Sequence, residues 1–209
     1  MIFHKYQIIW TGIPKNASST IHTALRNPTD AHHNHHSIME DYQSNDQELM
    51  DLYKNIAIVR NPYDRLISAT WHCRRNDWEN RKNQNLNDVI DDEIISPSNG
   101  YGHINEIFTA QHKYICFGKK ILSDYILRYE TLETDYKAFA EEHNKTSYFK
   151  LPLRLPLVNQ SGERTYWWEE LKSISQDNLD LINKMYRLDF ELFGYKMIDK
   201  ISSIAKPTE

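Results

Sequence analysis

The sequence predicts an α/β fold with a central, mainly parallel sheet flanked by helices. Two segments carry this prediction, because each joins a short apolar run to a turn and then to a helical pattern; they are residues 6–25 and 56–77. The run at 56–59 is continuously apolar, which is typical of a strand buried on both faces of a parallel sheet. Ligands of such sheets bind at the carboxyl ends of the strands, so both turns should lie on one edge.

The length and composition of the chain limit the classes of protein it can be. It has 209 residues and a formal net charge of −4. That length predicts a single domain, 1–209, with a disordered tail beyond about residue 204. The charge disfavours a general nucleic-acid binder, so we expect no nucleic-acid partner. Two cysteines are too few for a disulfide framework, and no apolar segment is long enough for an anchor, which favours a soluble, cytoplasmic protein with reduced thiols.

The first strand should occupy about 6–13, and a helix should start near Ala17 or Ser18 and stop before Pro28. After the run at 56–59, Asn61 is a good helix N-cap and Pro62 a good first helical residue. The remaining expectations follow from periodicity and turn residues. They are an irregular stretch at 27–47, partial helix within 38–53, a helix from Pro62 to about 77, a loop at 79–100, a helix from His103 to Cys116, a strand at 125–128, a helix capped by Thr131 to about 143, an irregular stretch at 144–168, and a helix from Gln176 to Leu192 ended by Gly194.

The first turn has the residues of an anion site. It reads Gly12-Ile13-Pro14-Lys15-Asn16-Ala17-Ser18-Ser19-Thr20. The N–H groups at a helix start have no intrahelical partner and attract negative charge. A lysine and three hydroxyl groups add donors, so the expected ligand is a phosphate or sulfate group. The turn is not a Walker A loop, in which the lysine comes last. An ordinary strand-to-helix turn with a serine cap is the alternative.

The second turn offers a second anion contact. Arg60 stands at the strand end, and Ser68 lies seven residues beyond the cap Asn61, about two helical turns into the helix. An arginine fork and a hydroxyl on one helix face could hold a second phosphate. The alternative is that Arg60 pairs with Asp64 and that Ser68 is a neutral helix residue.

Together the two stretches resemble the sulfotransferases that use 3′-phosphoadenosine-5′-phosphosulfate (PAPS) as sulfate donor. The segment 14–20 is similar to their 5′-phosphosulfate loop, and Arg60 with the segment 61–68 is similar to their 3′-phosphate motif. The segments 108–115, 127–136, 158–161 and 186–195 also resemble, in order, the membrane-type, carbohydrate-directed branch. The resemblance implies a P-loop-like three-layer fold and the transfer of a sulfuryl group from PAPS to a hydroxyl, on a carbohydrate in that branch. This chain would be a soluble, anchor-less form.

The resemblance also implies roles for individual residues. Lys15 would contact the 5′-phosphate and the bridging oxygen of the transferring group. Arg60 and Ser68 would hold the 3′-phosphate, over which Arg164 could close if it is not a plain surface arginine. The 5′-phosphate loop would consist of Pro14, Lys15, Asn16, Ala17, Ser18, Ser19 and Thr20. PAPS would be the co-substrate and its bisphosphate the product.

The catalytic base is open at this point. Imidazole suits neutral pH because its unperturbed pKa is about 6.5. The histidine cluster at 32–36 lies between the two phosphate motifs, where some family members place a histidine. His35 matches that pattern best, His33 is second, and Glu40 is the carboxylate alternative. A solvated loop or weak adventitious metal binding is the alternative for the whole cluster. No set of residues has convincing zinc spacing, so we expect no metal requirement.

Two other functions stay possible from the sequence. A P-loop-type kinase or nucleotide hydrolase shares the expected fold but needs magnesium ligands and a Walker A lysine. A non-catalytic nucleotide-binding module could keep the fold without the transfer. The acceptor should meet the segments 79–102 and 144–168, and Trp167 and Trp168 are either core residues or an acceptor platform.

Overall fold

A computed structural model describes residues 1–26, 47–76, 82–92, 103–156 and 166–206. Within these ranges the chain forms a four-stranded sheet in the order β1-β2-β3-β6 and a separate two-stranded hairpin, β4-β5. The strands are β1 (Ile2–Phe3), β2 (Ile8–Thr11), β3 (Lys54–Val59), β4 (Cys116–Phe117), β5 (Lys120–Ile121) and β6 (Tyr125–Arg128). The α-helices of these ranges are Ser18–Leu25, Gln47–Leu52, Pro62–Arg75, Leu86–Ile90, His103–Phe108, His112–Ile115, Leu132–Thr146, Trp167–Leu171, Gln176–Met185 and Arg187–Phe193.

The sheet is mainly parallel, as the sequence predicts. β2 pairs with β3 in parallel from Ile8 opposite Lys54 onward, and β3 pairs with β6 in parallel up to Val59 opposite Arg128. β1 pairs antiparallel with β2, and no strand is predicted from the sequence at residues 2–3. The apolar residues of β3 are completely buried, in keeping with a strand covered on both faces. The predicted α/β class, with a mainly parallel sheet and flanking helices, is confirmed.

The two predicted strand-turn-helix segments are present. The first helix starts at Ser18, and the second starts at Pro62 after Asn61, whose side chain accepts a hydrogen bond from the N–H of Tyr63 at 2.9 Å. Gly194 ends the last helix with a φ of 67°, in the left-handed region that glycine tolerates. These features depend on local signals, which is why the sequence predicts them.

Four expectations about helices are wrong. The loop expected at 79–100 contains the helix Leu86–Ile90, begun by a reciprocal pair of hydrogen bonds between Asn85 and Asp88. The helix expected over residues 103–116 is broken after Phe108, and its end leads into the β4-β5 hairpin, whose turn uses a φ of 58° at Gly118. The helix expected to Leu192 is divided at Tyr186, and Trp167–Leu171 is helical where an irregular segment was expected.

The break after Phe108 has a visible cause in a buried arginine. Arg65 is only 1 % exposed, and its guanidinium lies at the end of the helix. It donates hydrogen bonds to the carbonyl of Ile107 at 3.0 Å and to that of Thr109 at 2.5 Å. These carbonyls lie at the end of the helix, where main-chain acceptors lack intrahelical partners. Arg65 therefore supplies the missing donors and ends the helix there.

The described chain divides into two compact units, each made of two chain segments. The first comprises Met1–Arg60 and Gln111–Ser161, and the second comprises Asn61–Ala110 and Gly162–Glu209. The first contains the sheet and a core around Trp10, Ile58 and Tyr136. The second has its own core around Tyr63, Leu179 and Phe190. The single-domain assignment from sequence stays a prediction.

No helix in the described ranges is long and apolar enough to cross a membrane. The cytoplasmic location stays a prediction.

Candidate functional site

The chain leaves β2 through a tight turn that carries Lys15. The N–H of Asn16 donates to the carbonyl of Ile13 at 3.2 Å, so Pro14 and Lys15 occupy the two central positions. Lys15 has a φ of 68°. A type II turn favours proline at the first central position and requires a positive φ at the second. The buried Pro14 thus fixes the first half of the turn. The second half carries Lys15, which is half-buried.

Ala17 makes a second left-handed step immediately before the helix, with φ 59° and ψ 24°. A left-handed conformation costs a non-glycine residue roughly 1–2 kcal/mol, and residues held there are often part of a functional site. Main-chain carbonyls of the described residues accept no hydrogen bond from the N–H groups of Ala17, Ser18 and Ser19. Alternation of φ sign next to a helix start gathers such groups into a concave anion site.

The hydroxyl groups of this turn have different environments. Ser18 Oγ donates to the carbonyl of Ile13 at 3.2 Å and so braces the turn from inside. Ser19 is exposed and Thr20 half-buried, and their hydroxyls make no hydrogen bond within the described part of the chain. Ser19 and Thr20 therefore have donors available for an anion, in addition to the main-chain N–H groups.

Arg60 follows β3 directly and is held against the first turn. Its side chain is 5 % exposed, and Nη1 donates to the carbonyl of Lys15 at 3.0 Å. The guanidinium carbon lies 4.0 Å from the ring centroid of Tyr129, within cation–π range. The two sequence-predicted residues, Lys15 and Arg60, are therefore brought together through a direct hydrogen bond.

Gln111 joins the same two segments from the interior of the first unit. Its Oε1 accepts from Asn16 Nδ2 at 2.7 Å and from the N–H of Arg60 at 2.9 Å, and its Nε2 donates to the carbonyl of Arg60 at 2.9 Å. Asn16 Nδ2 also donates to the carbonyl of Ile58 at 2.8 Å. Sequence reasoning missed this role, although an amide on the apolar side of a predicted helix was a signal that could have found it.

Asn16 has a different part from the other residues of its loop. It is completely buried, its N–H is used in the turn, and its side-chain amide nitrogen points inward to Ile58 and Gln111. These contacts hold the loop in place from its buried side.

Ser68 lies in the second unit, on the helix Pro62–Arg75. It is 5 % exposed, and its hydroxyl makes no hydrogen bond within the described ranges. Tyr63 anchors the start of this helix, because its hydroxyl donates to Asn183 Oδ1 at 2.5 Å and accepts from the N–H of Ile198 at 2.9 Å. Burial is the main reason that the pKa of Tyr63 rises to about 12.

Four predicted site residues lie outside the described ranges: His33, His35, Glu40 and Arg164. Their roles stay predictions. The described residues contain no group of histidine, cysteine and carboxylate side chains that could hold a metal ion.

The comparisons with known proteins identify the class. A family model described as "Sulfotransferase family" matches residues 1–196, which is most of the chain. The chain belongs to the sulfotransferase family. It is a PAPS-dependent sulfotransferase, as the two turns suggested, and the carbohydrate-type branch is consistent with this family. Neither the curated proteins nor the solved structures gave a match.

Proposed function

We propose that residues 14–20 bind the 5′-phosphosulfate end of PAPS and that the enzyme transfers the sulfuryl group to a carbohydrate hydroxyl. The observation that carries the first part is the turn itself. The N–H groups of Ala17, Ser18 and Ser19 have no main-chain acceptor in the described chain, and Lys15 stands two residues before them. A doubly charged phosphate ester suits this combination of N–H donors, helix start and ammonium group.

The chemistry assigns a task to Lys15. The acceptor oxygen forms a bond to sulfur while the bond from sulfur to the bridging oxygen breaks, so the leaving phosphate gains negative charge. Donors already aimed at that charge lower the barrier, and loss of one such donor typically costs about 10²–10³ in rate. Lys15 is the charged donor of the loop, and the N–H groups that follow hold the phosphate still.

The acceptor must also lose its proton. We propose His35 as the base, with His33 and Glu40 as the alternatives. The support is the neutral-range pKa of imidazole and the place of the histidine cluster between the two phosphate motifs. His35→Ala should lower kcat strongly while the affinity for adenosine 3′,5′-bisphosphate stays the same.

We further propose that Arg60 binds the 3′-phosphate, and that Ser68 and Arg164 contribute. A guanidinium presents planar donors that match phosphate oxygens. Support for Arg60 comes from its hydrogen bond to Lys15, because this contact places its guanidinium beside the proposed 5′ loop. Support for Ser68 is its hydroxyl, which no described residue engages.

The carbohydrate acceptor rests on the resemblance to the carbohydrate-directed branch and on one surface feature. Tyr166 is 61 % exposed and stacks on Trp168, with centroids 4.3 Å apart and planes 15° apart. An aromatic pair with an apolar body and a polar edge suits a sugar ring. Trp167 and Trp168 both pack against the core of the second unit, and Trp167 does so by stacking on Tyr63.

The test combines transfer with binding. Purified protein is given PAPS labelled in the sulfuryl group and a panel of polysaccharides, with aryl alcohols and tyrosine peptides as non-carbohydrate acceptors. Lys15→Ala and Arg60→Ala should each abolish transfer in folded protein, whereas Lys172→Ala, at an exposed site on the second unit, should not. Undiminished transfer in both variants would overturn the site, and label in the non-carbohydrate acceptors alone would overturn the acceptor class.

A further inference from the structure

Gln111 makes the contacts expected of a residue that holds other residues in position. It is completely buried and stands between the helices His103–Phe108 and His112–Ile115. All three of its hydrogen bonds described above are 2.9 Å or shorter. A buried side-chain amide that makes several hydrogen bonds is held in one orientation, because breaking any of them leaves a polar group unpaired.

The amide of Gln111 acts on the main chain of Arg60 as a neighbouring strand would. The parallel pairing of β3 with β6 ends as the N–H of Tyr129 donates to the carbonyl of Val59 at 2.8 Å. At the next residue, Gln111 accepts from the N–H of Arg60 and donates to its carbonyl. The main chain of Arg60 is thereby held in line with the sheet, although Arg60 itself lies beyond the strand.

The same side chain also reaches the first turn. Its Oε1 receives Asn16 Nδ2, and Asn16 is the residue between the two left-handed positions, Lys15 and Ala17. A single amide therefore contacts both the loop that precedes the helix start and the residue that carries the guanidinium.

We propose that Gln111 is a positioning residue that fixes the distance between the two phosphate-binding segments. The inference rests on the proposed function, in which the loop takes the 5′-phosphate and Arg60 the 3′-phosphate. A nucleotide with two phosphates at a set separation binds both segments at once only if their spacing is correct, and misplacement forfeits the second contact. Gln111 touches neither phosphate and acts through Asn16 and Arg60.

Substitutions of Gln111 and of Asn16 should differ in their effects on nucleotide binding. Gln111→Met keeps the side-chain volume and removes all three hydrogen bonds, but Asn16 can still hold the loop through Ile58. Gln111→Met should then weaken the binding of those ligands that contact both segments. Asn16→Ala frees the loop itself, so it should weaken every ligand that carries a 5′-phosphate.

The experiment measures the Kd of two probes on the full chain by calorimetry: adenosine 3′,5′-bisphosphate and adenosine 5′-monophosphate. We expect Gln111→Met to raise the Kd of the bisphosphate on the order of tenfold and that of the monophosphate less than about threefold. Asn16→Ala should raise both. In the double variant the bisphosphate Kd should rise by less than the product of the two single effects, because the two residues share a contact.

A matched control separates positioning from stability. Asn55 is also a buried amide of β3, and its Nδ2 donates to the carbonyl of Met50 at 3.3 Å, at the other end of the strand. Asn55→Ala should lower the melting temperature and leave both Kd values unchanged. If Gln111→Met does not fold, Gln111→Asn, which is shorter by one methylene, should show the same selective loss.

The outcomes are distinguishable. Equal effects of Gln111→Met on the two probes, or no effect on either, would overturn the positioning role while leaving the proposed site intact. A wild-type protein that binds the bisphosphate no more tightly than the monophosphate would instead overturn the proposed 3′-phosphate site. A selective rise in the bisphosphate Kd, with Asn55→Ala silent, supports the positioning role.

Discussion

Arg65 should stabilise the protein without taking part in nucleotide binding, although it belongs to the same short motif as Arg60. The perturbation is Arg65→Met, which keeps most of the apolar stem and removes the guanidinium. The side chain is 1 % exposed and donates to the carbonyls of Ile107 and Thr109. Both contacts lie within the second unit, and neither involves the two turns of the proposed site.

The magnitude follows from these two hydrogen bonds. A bond from a charged donor contributes about 1.5–3 kcal/mol, so the pair amounts to about 3–6 kcal/mol. Removing a buried charge offsets part of that, since its desolvation no longer opposes folding. We expect a net loss of about 2–4 kcal/mol, a large share of the roughly 5–15 kcal/mol that stabilises an ordinary protein.

Urea unfolding followed by tryptophan fluorescence and by circular dichroism measures this loss, and a nucleotide titration accompanies it. Arg75→Met is the matched control, because Arg75 is exposed at the end of the same helix and its loss should cost less than about 1 kcal/mol. The Kd for adenosine 3′,5′-bisphosphate should be unchanged in folded Arg65→Met. A variant with wild-type stability and lost binding would refute the reasoning, because it would make Arg65 a ligand residue.

Two further predictions concern the strained turn and a half-buried carboxyl. Ala17→Val should lower stability by roughly 2 kcal/mol, because a β-branched side chain fits the left-handed region poorly, whereas Ala17→Gly should preserve it; thermal melts of both variants check this, and equal melting temperatures would contradict it. Desolvation raises the pKa of Glu170, while its hydrogen bond from Trp71 Nε1 opposes the shift. The folded state therefore disfavours the carboxylate of Glu170. Its ionisation lowers the free energy of unfolding increasingly as pH rises above the ordinary pKa of a glutamate. Glu170→Gln, which still accepts from Trp71, should melt above wild type at pH 7 and match it at pH 3; a lower melting temperature at pH 7 would show the opposite sign.

The local structure of the two turns could be predicted from sequence because its signals are local. Pro14 predisposes the first turn, and Asn61 with Pro62 marks the second helix start within two residues. The apolar run of β3 needs no partner to be recognised as buried. Each of these features depends on the conformational preference of a few neighbouring residues.

The missed features depend on residues that are distant in the chain. Arg65 is an example, because nothing in its neighbourhood in the sequence shows that it ends a helix some forty residues later. Gln111 looked like a member of a continuous helix, because an amide can sit on a helix face and the sequence does not show what it will contact. Tertiary contacts determine where these helices end, and they override the weak preference that helix propensity expresses.

The proposed anion loop reaches its conformation without glycine. Lys15 and Ala17 both adopt positive φ without being glycine, and Asn16 between them is held by Ile58 and Gln111. Glycine would make these conformations easier, but it would also make the loop more mobile before the ligand arrives. Non-glycine residues pinned by a buried amide keep the N–H groups aimed in advance, and donors that need no reorganisation stabilise a developing charge most effectively. The rate of sulfuryl transfer should therefore depend on residues that position the loop without touching PAPS. Gln111 is the residue to which we assign this role.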